Sequence, residues 1–205
     1  MYIVCADLEG VFVPEIWINV AKHTGIDELR LTTRDINDYN VLMKHRLDIL
    51  HKNNITIDVI QQVISKIQPL PGAVEFISWL RKRIQLIVVS DTFTEFADPL
   101  MEKLGRPVLF CNHLTIDHHG NITDYNLRQQ NSKMKVAEAM QKLNYKVIGI
   151  GDSYNDINML RKADAGILYR PPQNVIDDHN DIPVVNSYSE LKQSISSYLE
   201  EEKVK

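Results

Sequence analysis

The 205-residue sequence is short of cysteine, of long apolar runs and of excess charge, and each shortage removes a class of protein. Its two cysteines, Cys5 and Cys111, each sit in an apolar run; they fit packing in a reducing compartment and make no disulfide framework. No stretch of about eighteen apolar residues occurs, and no charged leader with a following apolar region opens the sequence, so the expectation is a soluble cytoplasmic protein with no membrane partner. The 23 Lys and Arg are scattered among 27 Asp and Glu, for a net charge of −4, which offers no basic face to nucleic acid. An anionic ligand must therefore be held by a local cluster. A Gly-x-x-x-x-Gly-Lys loop is also missing, which argues against ATP-driven phosphoryl transfer.

What is there is a rhythm of apolar strands and helical patterns. Tyr2-Ile3-Val4-Cys5-Ala6, Leu86-Ile87-Val88-Val89 and Val147-Ile148-Gly149-Ile150 are short buried-type strands, and each ends in small polar or acidic residues. Residues 14–70 read as helices without a strand: apolar residues at 16, 17, 20 and 21, then 41–50, then 57–67, closed by Pro69-Leu70-Pro71-Gly72. From Gly72 onward the pattern predicts helix 73–82, strand 84–90, helix 93–104, strand 107–111, a hairpin over 114–127, helix 133–143, strand 146–150, helix 156–162, strand 165–168, helix 172–178 and a last helix over 188–201. Strands alternating with helices predict a three-layer α/β fold around a parallel sheet. The predicted organisation is a core of residues 1–13 and 71–205 with a helical cap, 14–70, inserted after the first strand.

The strand ends carry the chemistry. Asp7 and Glu9 leave one loop, and Asp152 and Asp156 another, in Gly151-Asp152-Ser153-Tyr154-Asn155-Asp156. Carboxylates converging on one pocket repel one another, and a hard divalent cation with oxygen ligands, Mg²⁺ above all, resolves that repulsion. Taken singly, these acids are also ordinary turn and helix-cap residues. Trp17 and Trp79 lie on apolar helical faces and read as packing, and His118-His119 reads as a solvated hairpin tip.

In order, Asp7-Leu8-Glu9-Gly10, Ser90-Asp91, Lys133 and the Gly151 to Asp156 run resemble the four motifs of the haloacid dehalogenase superfamily, over nearly the whole chain. The Val13-Pro14-Glu15-Ile16-Trp17 segment, Met43-Lys44-His45-Arg46 and Ser90-Asp91-Thr92-Phe93 look like its phosphoserine phosphatase and phosphoserine:homoserine phosphotransferase members. The resemblance implies a Rossmann-like core and hydrolysis of phosphoserine through an aspartyl phosphate on Asp7, with homoserine as a second acceptor. Glu9 would be the acid and base, Lys133 would screen charge, and Ser90, Asp91 and Asn155 would contact substrate, Ser90 helped by a helix N-terminus near Phe93. Asp7, the Glu9 main-chain carbonyl and Asp152 would ligate Mg²⁺, with Asp156 behind them. Arg46 would take the substrate carboxylate and Glu15 its ammonium, with Arg128 a weaker neighbour.

Two departures stand out: Glu9 occupies a place where relatives carry Asp, and Val11 one where many carry Thr or Ser. The competing readings are a phosphatase of another small phosphomonoester and a receiver-like signalling module, the latter disfavoured by the inserted helices. Oligomeric state, monomer or homodimer, is left open.

Overall fold

The computed structural model describes residues 1–32, 35, 36 and 38–203, with side chains to residue 200. Seven strands, β1 (Tyr2–Ala6), β2 (Gln85–Phe93), β3 (Val108–Ile116), β4 (Ile122–Asn126), β5 (Lys146–Gly151), β6 (Ala165–Tyr169) and β7 (Val184–Val185), form one sheet in the order β4-β3-β2-β1-β5-β6-β7. All neighbours are parallel except β3 and β4. The helices are α1 (Ile16–Thr24), α2 (Tyr39–Lys52), α3 (Ile57–Lys66), α4 (Ala73–Arg81), α5 (Thr94–Lys103), α6 (Ser132–Lys142), α7 (Ile157–Lys162), α8 (Gln173–Asp178) and α9 (Tyr188–Lys203), with 3₁₀ turns at Asp27–Arg30 and Tyr154–Asp156.

The central strands β1, β5 and the first half of β2 are largely apolar because both faces of the sheet are covered there, whereas edge strand β4 is exposed at Thr123, Asp124 and Asn126. Side chains alternate across a strand, and two separate clusters follow from it. Val4, Ala6, Leu86, Val88, Ile148 and Ile167 pack with α4, α5 and α9, while Ile3, Cys5, Ile87, Val89, Val147 and Leu168 pack with α6 and α7. Cys5 lies fully inside, its thiol pushed up to about 12 by burial. Both cysteines are free thiols.

Chain order runs outward from β1 through β2 to β4, then jumps back across β1 to β5. That reversal puts a crevice at the carboxyl ends of β1 and β5, where open α/β sheets bind ligands. The β1–β5 ladder carries on past Ala6, because Asp7 N–H donates to the Ile150 carbonyl at 2.9 Å. The two acidic loops are therefore adjacent.

Three details differ from the sequence reading. The strand at 107–111 and the first hairpin arm are one nine-residue strand, β3, parallel to β2 in its first half and antiparallel to β4 in its second. A two-residue strand, β7, was hidden because Val184-Val185 is too short to show alternation. β2 continues to Phe93 after a register shift against β3, since Thr92 and Phe93 are both buried, and α5 begins at Thr94. Among the described residues, no helix is long and apolar enough to cross a membrane.

Candidate active site

A cavity of about 90 Å³ at the carboxyl ends of β1, β2 and β5 is lined by Asp7, Glu9, Ser90, Asp91, Lys133, Asp152 and Asn155 from the sheet side. Glu15, Trp17, Thr32, Tyr39, Leu42 and Arg46 line it from the helices and loops between β1 and β2. Apart from Asp156 directly behind and Arg128, every residue singled out as a catalytic, metal or substrate candidate in the sequence lines this one space.

Lys133 is the electrostatic centre. It lies in the first turn of α6, is 4 % exposed, and its Nζ sits 2.7 Å from Asp7 Oδ2 and 2.7 Å from Asp156 Oδ1. Asp91 Oδ2 is 3.8 Å away. Burial opposes its charge, but Asp156, Asp7 and Asp91 outweigh burial and hold its pKa well above the ordinary lysine value. Asp7, 4 % exposed, is pushed up by burial and by the facing Asp156 and Asp152 carboxylates, with Lys133 pulling the other way. Its Oδ1 accepts the Leu8 N–H at 2.7 Å.

Asp156 is wholly buried and already spoken for. Its Oδ2 accepts the Asp152 N–H at 2.9 Å and the Ser153 N–H at 3.1 Å, leaving Oδ1 for Lys133. Two glycines make these approaches possible. Gly10, at φ +78°, lies where a Cβ would collide with the Asp152 carboxylate, and at Gly151 it would collide with Asp156.

Asp7, Asp152 and Asp156 offer carboxylate oxygens all within 4.8 Å of one another. A buried set of oxygen donors of this kind suits a hard divalent cation. Lys133 bonds one oxygen each of Asp7 and Asp156, and backbone amides bond the other, so the three carboxylates share their donors between Lys133, the main chain and any cation.

Glu9 points the other way. Its Oε2 accepts the Ile16 N–H at 2.7 Å, capping the start of α1, and its carboxyl is pushed up to about 8, first by burial, then by Glu15. Ile16 N–H and Arg46 oppose that rise, and a hydrogen bond with Glu15 adds to it. The extra methylene of Glu thus reaches the first helical turn.

Arg46 on α2 is 6 % exposed. Nη2 donates to the Leu31 carbonyl at 2.9 Å, Nη1 meets Met43 sulfur at 3.7 Å, and Nε is buried without a partner. Burial lowers its pKa to about 10, with Tyr39, Glu9 and Glu15 opposing. Its guanidinium carbon lies 4.5 Å from the centre of the Trp17 ring. Trp17 packs in the core as its apolar face predicts, and it also lines the cavity under Arg46.

Ser90 lies in β2 and caps no helix. Its Oγ accepts the Thr92 N–H at 3.2 Å, and three strand residues separate it from α5. Asp91 is held from several sides: its carboxylate accepts from Asn155 Nδ2 at 3.0 Å, and its carbonyl accepts from Tyr39 and Asn112, each at 3.1 Å. Tyr39 and Thr92 were not singled out in the sequence; a lone Tyr opening a helix carries no signal there. Arg128 does not reach the cavity, its Nη2 instead donating to Ser132 at 2.6 Å. His118 and His119 stay at the hairpin tip with ring centres 3.9 Å apart.

Comparison with known proteins gives the family and the fold. The model of the haloacid dehalogenase-like hydrolases matches residues 6–164. Phosphoserine phosphatase ThrH of Pseudomonas aeruginosa is 52% identical over 193 residues, 94% of each chain. A phosphoserine phosphatase of Pseudomonas syringae pv. tomato is 52% identical over 191 residues, 93% of this chain and 81% of that one. Among solved structures, a phospho-aspartyl intermediate analogue of phosphoserine phosphatase superposes with a TM-score of 0.77 at 23% identity, covering 94% of this chain and 98% of the other. That likeness speaks for the fold.

Proposed function

The chain belongs to the haloacid dehalogenase-like hydrolases, and from that premise we propose that it hydrolyses O-phospho-L-serine to serine and phosphate through an aspartyl phosphate on Asp7. The carrying observation is the Asp7–Lys133–Asp156 chain, at 2.7 Å for each link, facing Arg46 and Glu15 across one small cavity. A nucleophile for phosphorus and a matched pair of charges for an amino acid share the same space.

In this reading an Asp7 oxygen attacks phosphorus, and the serine oxygen leaves with the proton of Glu9, which its raised pKa keeps available at neutral pH. Glu9 then removes a proton from water, whose oxygen attacks the acyl phosphate and regenerates Asp7. Lys133 offsets the charge gathered on Asp7 and the transferring group. Ser90 can donate its hydroxyl hydrogen to a phosphate oxygen, since its Oγ accepts rather than donates within the protein. Asn155 gives one amide hydrogen to Asp91, which holds it in place, and has a second to donate to a phosphate oxygen. Arg46 takes the substrate carboxylate and Glu15 the ammonium.

Asp7, the Glu9 carbonyl and Asp152 would hold Mg²⁺, which when bound supplies charge neutralisation to the phosphoryl group. Residues 14–70 would act as the cap. Homoserine carries the same carboxylate and ammonium as serine and would serve as a second acceptor on the Arg46 and Glu15 pair. Free Cys5 and Cys111 support a cytoplasmic setting.

Phosphate release from phosphoserine, with and without Mg²⁺, tests the reading. Release should require the metal and disappear in Asp7→Asn; undiminished release from that variant overturns it. Adding homoserine and looking for phosphohomoserine by mass spectrometry decides the acceptor.

A further inference from the structure

A buried guanidinium in a binding pocket faces a dilemma. An acidic partner would stabilise it but would also occupy the N–H donors and cancel the charge that a substrate carboxylate needs. An aromatic face avoids this, because it stabilises the cation through its π electrons and takes none of the in-plane donors.

Arg46 has Glu9 and Glu15 near enough to support its charge, but its close contact is of the second kind. Its guanidinium carbon stands 4.5 Å over the Trp17 ring, while Nε remains buried and unpartnered. The Leu31 carbonyl takes one hydrogen bond from Nη2 at 2.9 Å. Trp17 is itself fixed: it is 8 % exposed and meets Phe96 edge-on with ring centres 5.5 Å apart, and Phe96 meets Phe93 at 5.6 Å. Phe93 ends β2, the strand that carries Ser90. The aromatic ladder thus ties the carboxylate-binding cation to the phosphate-binding strand.

We propose that Trp17 is a positioning residue for substrate-carboxylate recognition, holding the Arg46 guanidinium charged and in place with its Nε–H kept for the ligand. The inference rests on the phosphoserine reading and deepens it. It assigns to Trp17 the discrimination between phosphomonoesters that carry a carboxylate and those that do not.

Its test measures KM for phosphoserine and KI for phosphoethanolamine as a competitor, in wild type, Trp17→Phe and Trp17→Leu. Phosphoethanolamine keeps the phosphate and ammonium and lacks the carboxylate. Trp17→Leu should raise KM roughly tenfold while KI moves less than about twofold, with Trp17→Phe between wild type and Leu. The loss should fall on KM more than on kcat. An equal rise of KM and KI in both variants means that Trp17 merely packs, and no rise in either means that Arg46 does not need it; either result overturns the proposal. Should Trp17→Leu not fold, the same split is read in Trp17→Phe. A wild-type enzyme that leaves phosphoserine untouched while cleaving phosphoethanolamine overturns the substrate reading itself, and this inference falls with it.

Discussion

Glu9 carries the most exposed consequence among single residues. Its carboxyl is held up at about 8, from an ordinary 4.5, by burial and by Glu15. It is therefore protonated at neutral pH and ready to protonate a leaving alcohol, and it loses that proton as pH rises through about 8. The kcat/KM for phosphoserine should fall on the alkaline side of that value, and Glu9→Gln should lose most activity at every pH. The same shift has a stability sign. A folded-state pKa above the unfolded one means that folding takes up a proton, so the contribution of Glu9 is whole below about 4.5 and is lost as pH rises to about 8. A pH–rate profile of wild type with no alkaline limb would remove Glu9 from the acid role.

At the scale of elements, the helices between β1 and β2 are pinned from outside. The Ile57 N–H donates to the Gly120 carbonyl at the hairpin tip at 2.9 Å. Tyr125 on β4 donates to Asn40 at 2.7 Å and meets Tyr39 edge-on at 6.2 Å. On the other flank, Lys103 Nζ donates to the Ser65 and Ile67 carbonyls, both at 2.6 Å. The β3–β4 hairpin is thus a clasp on α2, whose first residue lines the cavity. Tyr125→Phe deletes one exposed hydrogen bond and should cost at most about 1 kcal/mol of stability. Its larger effect should be faster amide exchange over the first turn of α2, read by mass spectrometry, with a raised KM. Unchanged exchange there would mean that the clasp bears no load.

For the whole molecule, much was readable in the chain because strand alternation and loop chemistry are local. Asp7, Glu9, Asp152 and Asp156 follow apolar strands, and a parallel sheet brings strand ends together without further information. What was hidden depends on non-local contacts. β7 is two residues long and exists because β6 lies beside it; β2 runs on past Ser90 to Phe93 because Thr92 and Phe93 are buried, which moves α5 away from Ser90; Trp17 serves Arg46 from another helix. The central claim remains chemical: phosphorus passes to Asp7 before it passes to water. The direct measurement is a rapid acid quench of the enzyme with radiolabelled phosphoserine and Mg²⁺, followed by mapping of the labelled peptide. The account expects transient label on Asp7, absent from Asp7→Asn, whereas turnover at the full wild-type rate without label reaching that residue at any time point would contradict it.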